Sequence, residues 1–328
     1  MAYSSSPTAL WAGSPQTILQ TDGVVEYSVR TADDDVQIYA GRAVSRPGES
    51  FVSVDIADIA ADYCRQEMPA FEAVNLYGDP DAQLVKFNRP FIIRTTAADK
   101  TVNFLADWSY RNDAPRSRFL SDPVAAVLPA NGVLIISDYY APATTARISS
   151  GGTTLATITG LTAGTPYNLI FPLGSFSVSE VTVSCGGHNA TFRVDGCMKA
   201  ALYYVNAFGG WDCLPLDRIV RGMDHFQRES VALDFIPSRS DARSRRDFFV
   251  ETSRTFQVRT HWLTDAQSER FSLNVPGTIL ASFFMDGHFY PVTIDDTEAA
   301  YNLTQSANGR VPVRHTLTLR LAQYRFRR

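Results

Sequence analysis

Residues that could do chemistry are present in this chain, but their spacing matches no catalytic or metal-binding pattern. No two histidines stand four residues apart, as zinc ligands on a helix do. The five are His188, His225, His261, His288 and His315. The sequence contains no serine-nucleophile elbow, zinc-protease helix, phosphate-binding loop or dinucleotide-binding glycine motif. We therefore predict no catalytic, cofactor-binding or metal-ligating residues, and we expect a protein that is not an enzyme.

The four cysteines also lack a metal-binding spacing, because none of them forms a C-x-x-C pair. They are Cys64, Cys185, Cys197 and Cys213. Small apolar thiols are common in protein interiors, so we predict free thiols. A Cys185–Cys197 disulfide in an oxidising medium stays open as the alternative.

Carboxylates and aromatic side chains leave two further alternatives. The run Asp33-Asp34-Asp35 could bind calcium, but it lacks the alternating ligands and distant bidentate acid of a calcium loop, so we favour a solvated turn. Trp108, Trp211 and Trp262 could form stacking platforms for sugars, or could anchor a core or an interface. A carboxylate pair for glycoside hydrolysis would be assembled only in space, and nothing local indicates one.

The elements that would position these residues are mostly strands. Apolar residues alternate in three segments, Val24–Arg30, Val36–Gly41 and Phe51–Ile56, with turn residues between them. A helical stripe from Ile56 to Tyr63 predicts a short helix. These elements, with two later strand patterns, predict an N-terminal β domain over residues 1–120, which ends in a proline-containing linker.

Two more β domains are predicted after this linker. Short strands recur at about ten-residue spacing between glycines, which is typical of an Ig-like β-sandwich over residues 121–199. Residues 200–328 combine aromatic and alternating strands with a capping-box sequence at Thr264–Gln267 that opens a short helix through about Arg270. The predicted fold class is all-β with minor α, in several β-sandwich or Ig-like domains.

Charge is distributed unevenly along the chain. Residues 22–81 contain 13 acidic residues and four arginines, a local net charge of −9, whereas residues 309–328 contain six arginines and no acid, +6. Most of these arginines alternate with apolar residues, which is unlike a free nucleic-acid-binding arm, so we do not expect nucleic acid as a partner. We interpret Arg320, Arg325, Arg327 and Arg328 as candidate subunit contacts, with a solvated strand face as the equal alternative.

No stretch of 18 apolar residues indicates a membrane span, and the first residues lack the pattern of a secretory signal. We therefore expect neither membrane insertion nor Sec-dependent export. The sequence also indicates no cofactor.

Three segments carry a family resemblance. They are the strand–turn–strand–helix unit of residues 38–64, the aromatic strand closed by Gly-Gly-Trp-Asp in residues 200–214, and residues 260–271 with the strand of residues 289–296. Together they resemble tail structural proteins of tailed phages and prophages of Bacteroidetes, of the distal-tail or baseplate type. His261 departs from the family pattern, and the central sandwich has no counterpart in it.

The resemblance implies a non-catalytic protein of the virion tail, assembled in the host cytoplasm with copies of itself and other tail proteins. It implies structural roles for Gly209, Gly210, Trp211 and Asp212. We expect the glycines to supply a positive-φ turn, the exposed-looking Trp-Asp pair to follow it, and the tryptophan to anchor the core. The alternative is an adhesin whose central sandwich binds a host surface glycan or receptor.

Overall fold

In the computed structural model of the chain, β-strands accompany one described helix, which confirms the predicted all-β class with minor α. The described residues are 2–3, 9–10, 16–19, 24–49, 51–54, 56, 59, 83–86, 89–96, 99–104, 119–138, 145–161, 167–174, 176–207, 210–232, 245–278, 281–295, 305–306, 309–310, 312–322 and 325–326. Within these parts of the chain, no helix has the length and apolar character needed to cross a membrane.

The N-terminal part forms two small sheets that share a core. Its strands are β1 (Ala2–Tyr3), β2 (Ala9–Leu10), β3 (Gln16–Leu19), β4 (Val24–Thr31), β5 (Gln37–Val44), β6 (Phe51–Val54), β7 (Gln83–Lys86), β8 (Arg89–Thr95) and β9 (Asp99–Phe104). One sheet has the order β2-β9-β8-β4-β5, and the other has the order β1-β3-β6. Val25 and Val29 on β4 point into the same core as Val52 and Val54 on β6, as the period-two pattern predicts. Of the predicted helix from Ile56 to Tyr63, only Ile56 and Ile59 are described.

The central part is a sandwich of two sheets. Its strands are β10 (Val127–Pro129), β11 (Val133–Asp138), β12 (Thr145–Ser150), β13 (Thr153–Thr159), β14 (Tyr167–Pro172), β15 (Glu180–Cys185) and β16 (His188–Asp195). The outer sheet has the order β10-β16-β15-β12-β13, and the inner sheet has the order β11-β14-β7. The inner sheet therefore contains a strand from before residue 120, so strand pairing crosses the predicted domain boundary.

The C-terminal part is a sheet that closes on itself. Its strands are β17 (Ala200–Val205), β18 (Trp211–Ala232), β19 (Arg245–Thr260), β20 (Ala281–Met285), β21 (His288–Ile294), β22 (Gln305–Ser306), β23 (Gly309–Arg310), β24 (Thr316–Leu321) and β25 (Arg325–Phe326). The order β18-β17-β20-β21-β24-β19 is completed by pairing of β19 with β18, whereas β22 and β23 pair only with each other among the described strands.

Helix α1 (Asp265–Asn274) packs one face against the core of this closed sheet and exposes the other. Its N-terminus carries the predicted capping box, because Thr264 accepts from the Gln267 amide while the Gln267 side chain accepts from the Thr264 amide. Phe271 on the helix is fully buried and shares a core with Leu202, Leu319 and other inward-facing strand residues. The helix ends at Asn274, one turn later than the sequence predicted.

Two strands are buried on both faces because they lie between layers. In β11 all six residues are buried, and the same holds for β17. Val133 and Leu134 on β11 point to opposite sides, yet both belong to the core that also contains Tyr203 on β17. Strands buried on both faces have continuous apolar runs instead of alternation, as VLII and AALYYV show.

The Tyr203 hydroxyl joins the closed sheet to the sandwich. It donates to the Val133 carbonyl oxygen at 2.7 Å and accepts from the Val133 amide at 3.1 Å. Because β11 is the edge strand of the inner sheet, this hydroxyl satisfies backbone groups that have no neighbouring strand. The central and C-terminal parts therefore share one core and are joined by this hydroxyl.

Replacing Tyr203 with Phe tests this junction. The substitution leaves the buried amide and carbonyl of Val133 without this partner, so we expect the free energy of unfolding to fall by about 2 kcal/mol. Urea denaturation followed by circular dichroism measures the change. Tyr290→Phe, at a half-buried tyrosine, is the control and should change stability by less than about 0.5 kcal/mol. Equal effects of the two substitutions would contradict the role given to Tyr203.

Candidate functional site

The connection between β17 and β18 holds the Gly-Gly-Trp-Asp element that the sequence singled out. The amide of Asn206 donates to the Gly210 carbonyl at 2.7 Å, and the Gly210 amide donates to the Asn206 side chain at 3.1 Å. Gly209 lies outside the described residues, so its role stays a prediction. Trp211 and Asp212 follow on β18 and are both buried, so the expectation of an exposed Trp-Asp pair was wrong, whereas the predicted core role of Trp211 is confirmed.

Gly210 is needed for close packing and not for a positive-φ turn. It is absent from the glycines with positive φ, which corrects the expectation from sequence. A Cβ atom at this position would lie 2.9 Å from the Leu120 carbonyl oxygen and 3.1 Å from the Ser137 Cβ. The segment at Leu120 and strand β11 can therefore approach the turn only because residue 210 has no side chain.

The Asp212 carboxyl group organises the polar residues around this turn. Its Oδ2 accepts from the Asn206 Nδ2 at 2.7 Å and from the Asp122 amide at 3.0 Å. The same Asn206 amide group donates to the Leu120 carbonyl oxygen at 2.9 Å. Asp212 thereby attaches the chain that enters the sandwich to the first residues of β18.

Helix α1 contributes two side chains to the same cluster. Asn274 Nδ2 donates to Asp122 Oδ2 at 3.3 Å, and Asn274 Oδ1 accepts from the Ala207 amide at 3.1 Å. Arg270 Nε lies 3.7 Å from Asp122 Oδ1. We call Asp122, Asn206, Asp212, Arg270 and Asn274 the polar junction. It joins the helix, the β17–β18 turn and the segment that precedes β10.

Ser137 connects the sandwich to the polar junction. Its hydroxyl donates to Asn168 Oδ1 on β14 at 2.7 Å and accepts from the Trp211 amide at 2.9 Å. The Ser137 carbonyl oxygen accepts from the Leu120 amide at 3.0 Å. Ser137 therefore bonds to the inner sheet at Asn168, to the closed sheet at Trp211 and to the entering segment at Leu120.

Burial sets the electrostatics of the junction. Desolvation raises the pKa of Asp212 from 3.8 to about 7, although the hydrogen bonds from Asn206 and the Asp122 amide favour the ionised form and oppose this rise. Burial, followed by the nearby Asp212 carboxyl, also raises the pKa of Tyr204 well above its usual value. Burial raises the pKa of the Cys213 thiol as well, so Cys213 is not a thiolate near neutral pH. The polar junction therefore connects helix α1, the β17–β18 turn and the segment that precedes β10.

The histidines that the sequence left unassigned occupy separate sites. His188 Nδ1 lies 3.0 Å from Asp138 Oδ1, and the His188 ring packs edge-on against Phe119. His315 stacks on Phe271 at 4.2 Å and bonds to Ser268 at 2.9 Å. Among the described residues, no group of three or more His, Cys, Asp or Glu side chains is arranged to hold a metal ion.

The cysteines that the structure describes are free thiols, as predicted. Cys185 and Cys213 are buried and Cys197 is exposed, so the alternative Cys185–Cys197 disulfide is not formed. Burial raises the pKa of Cys185 to about 12, which keeps this thiol neutral. Cys64 lies outside the described residues.

The acidic run at Asp33-Asp34-Asp35 forms the turn between β4 and β5, as predicted. Asp35 has a φ of 54° and bonds through its carboxylate to Arg30 at 2.7 Å and to Arg94 at 3.2 Å. These two arginines lower the pKa of Asp35, Arg30 being the larger cause. The carboxylate is therefore engaged in ion pairs, which supports the solvated-turn interpretation over a calcium loop.

Of the tryptophans considered as platforms, Trp262 is exposed and Trp211 is buried, and Trp108 lies outside the described residues. Trp262 has 60% of its surface exposed, and the Arg314 guanidinium lies 4.3 Å from its ring centre. Arg314 also bonds to Asp217 at 3.2 Å. The result is an aromatic surface with one face covered by a fixed cation.

The predicted C-terminal contact residues are only partly described. Arg320 bonds to Asp295 at 2.8 Å across neighbouring strands, so its guanidinium has a partner within the chain. Arg325 belongs to β25, which pairs with β19, and its side chain is not described. Arg327 and Arg328 lie outside the described residues, so the contact role of all three stays a prediction.

The ribbon formed by β18 and β19 is a feature that sequence analysis missed. The two strands pair from Leu216↔Thr260 to Ala232↔Arg245, whereas β17 pairs with β18 only as far as Pro215. β24 pairs with β19 as far as Thr255, opposite Met223, and beyond that point only β25 among the described strands pairs with the ribbon. Phe226 on this part of the ribbon is 60% exposed. The three register shifts along the pairing break the period-two pattern that would have shown a strand of 22 residues.

Comparison with known proteins gives little guidance. No family model matches the chain, and no curated protein matches it. One solved structure, the S-layer protein rSbsC(31-844), aligns with 84% of this chain at 8% identity and a TM-score of 0.18. The alignment spans 33% of that protein, and a likeness this low carries no argument about fold or function.

Asp212 predicts a specific dependence of stability on pH. Because the pKa of Asp212 is about 7 in the folded protein and 3.8 when exposed, the folded state binds this proton more tightly. The contribution of the protonated Asp212 carboxyl to the free energy of unfolding is complete below about pH 4. It is lost as pH rises through 7, a change on the order of 4 kcal/mol. Urea denaturation from pH 5 to pH 8.5 should detect about 3 kcal/mol of this change.

Asp212→Asn keeps an oxygen that can accept both hydrogen bonds but removes the titration. The variant should therefore lose much less stability than the wild type over this pH range. Asp33→Asn, at an exposed carboxylate, is the control and should follow the wild type. Parallel pH profiles for the wild type and Asp212→Asn would show that Asp212 is ionised in the folded protein.

Proposed function

We propose that this chain is a non-catalytic structural protein of a phage tail, where it forms part of a ring or tail-tip assembly. The single observation that carries the assembly role is the β18–β19 ribbon that extends beyond the closed sheet. The resemblance of three sequence segments to phage tail proteins supports the virion as its location. Its partners would be copies of itself and other tail proteins.

The physics of the ribbon favours contact with a neighbouring subunit. Beyond the pairing of β25 with Glu251 and Thr252, the ribbon has only two described strands, and a two-stranded ribbon is marginally stable in water because it has too little apolar surface to bury. Its β18 edge is not paired beyond Pro215 among the described strands, and the exposed side chain of Phe226 adds apolar surface. Packing against another subunit would bury both, and aromatic residues contribute strongly to such interfaces.

The body behind the ribbon is suited to a mechanical role. Four layers follow one another: the outer sandwich sheet, the inner sheet, the closed sheet and helix α1. The polar junction and Tyr203 tie these layers together with buried hydrogen bonds. A subunit built in this way transmits force through packed sheets, which an assembly component requires and a catalyst does not.

The second candidate function is a glycan-binding adhesin, and one observation favours it. Trp262 presents an exposed aromatic face beside the Arg314–Asp217 ion pair, and exposed tryptophans can stack on sugar rings. This surface lies on the C-terminal part, whereas the sequence had indicated the central sandwich. Glycan-array binding of the wild type, compared with Trp262→Ala, tests this function independently of assembly.

The mass of the purified protein in solution tests the proposed function. Light scattering at low and high salt should give a multimer, or a salt-sensitive equilibrium between monomer and multimer. A variant in which a two-residue Asn-Gly turn joins Asp224 to Arg254 shortens the ribbon at a paired position and should shift this equilibrium from the multimer to smaller species. Trp262→Ala is the control and should assemble normally. A wild type that is monomeric at every concentration and salt would contradict self-assembly.

A further inference from the structure

The β4–β5 hairpin concentrates exposed apolar surface at the edge of a sheet. Seven large hydrophobic side chains are exposed among the described residues, and four of them lie on this hairpin or at its turn. These four are Val24, Val36, Tyr39 and Val44. The other three are on the ribbon and around helix α1. Such a concentration indicates a contact surface, because scattered single residues would need no explanation.

Strand β5 is the edge strand of its sheet. It pairs with β4 on one side, and no other described strand pairs with it. Natural edge strands are commonly protected by proline, charged side chains or repeated bulges, and Arg42 is the one charged residue of Gln37–Val44. Gln37–Val44 contains no proline or lysine, and its single register shift lies beside Ile38, so Tyr39–Val44 is regular. None of the described strands pairs with its outer backbone groups, so a strand of a second copy could do so.

The middle of β5 permits close approach of a second backbone. Ala40 and Gly41 are small, and the Tyr39 ring lies over Gly41, where a Cβ would come within 2.7 Å of it. Tyr39 also packs against Tyr27 with ring centres 5.9 Å apart. The side chains at the centre of the edge are therefore small or held against their own sheet, which leaves the edge unobstructed.

The charges at the two ends of β5 indicate which kind of strand could pair with it. The turn before the strand carries exposed Asp33 and Asp34, whereas exposed Arg46 lies just beyond its other end, where Arg42 is already paired with Glu26 at 2.7 Å. An edge that is acidic at one end and basic at the other is complementary to a second copy of itself in antiparallel orientation. In that orientation each acidic turn faces the arginine end of the other copy, and Val36, which precedes the bulge at Ile38, lies near the Val44 end of the other copy.

We infer that two copies of this chain pair through β5 in antiparallel orientation, about a two-fold axis near Ala40 and Gly41. The contact continues the sheet order β2-β9-β8-β4-β5 from one copy into the next. It goes beyond the proposed function, because it pairs copies two by two and does not depend on the position of the assembly in a virion. The ribbon is not involved in it.

Cysteine cross-linking tests this geometry directly. A residue beside a two-fold axis meets its own counterpart, so Ala40→Cys should form covalent dimers with a short bis-maleimide linker. The background carries Cys197→Ser, because Cys197 is an exposed native thiol. Val36→Cys and Val44→Cys should cross-link mainly when the two proteins are mixed. Val24→Cys, exposed on the adjacent strand β4, is the control and should give at most background dimer.

Exchanging the charges tests the orientation. Asp33→Arg alone and Arg46→Asp alone should each lower the yield of Ala40→Cys dimers about five-fold at low salt, since each breaks two symmetric pairs. The double variant Asp33→Arg/Arg46→Asp restores complementarity and should recover the wild-type yield. Absence of Ala40→Cys dimers, or unchanged yields in both single variants, would overturn the inference. Because the ribbon-shortened protein retains β5, its dimers would persist even if the proposed ring assembly fails.

Discussion

The carboxyl group of Asp212 is buried where the β17–β18 turn, helix α1 and the segment entering the sandwich meet, and the arrangement of the closed sheet against the sandwich depends on it. Its Oδ2 accepts from both Asn206 and the Asp122 amide. Asp122 in turn binds Asn274 at the end of the helix. Burial of this group is tolerated because it is hydrogen-bonded, and the same burial raises its pKa, so the junction couples geometry to protonation.

Much of the fold could be predicted from the sequence, because its determinants are local. The alternation of Val25 and Val29, the acidic turn after β4 and the Thr264 capping box each act over a few residues, and each formed as predicted. The relation between the parts depends on distant residues. Pairing of β7 with β14 and the bond between Tyr203 and Val133 connect positions about 70 or more residues apart, which local pattern does not report.

The sequence pointed to the Gly-Gly-Trp-Asp element, but the physical roles that it predicted for Gly210 and Asp212 were wrong. Gly210 serves close contact with Leu120 instead of a positive-φ turn, and Asp212 is buried instead of exposed. Both errors have one cause: a surface turn and a turn covered by another layer have the same local sequence. The three open surfaces, on the ribbon, at Trp262 and along β5, lie away from the junction.

Hydrogen exchange of the native protein, followed by mass spectrometry under increasing urea, tests the central claim most directly. If the polar junction and Tyr203 unite the central and C-terminal parts, slowly exchanging amides in β11, β14, β17 and β20 should open in one transition with one free energy. Asp212→Ala should lower that free energy for all four strands equally. Two transitions, with the sandwich strands separated from β17 and β20, would contradict the account.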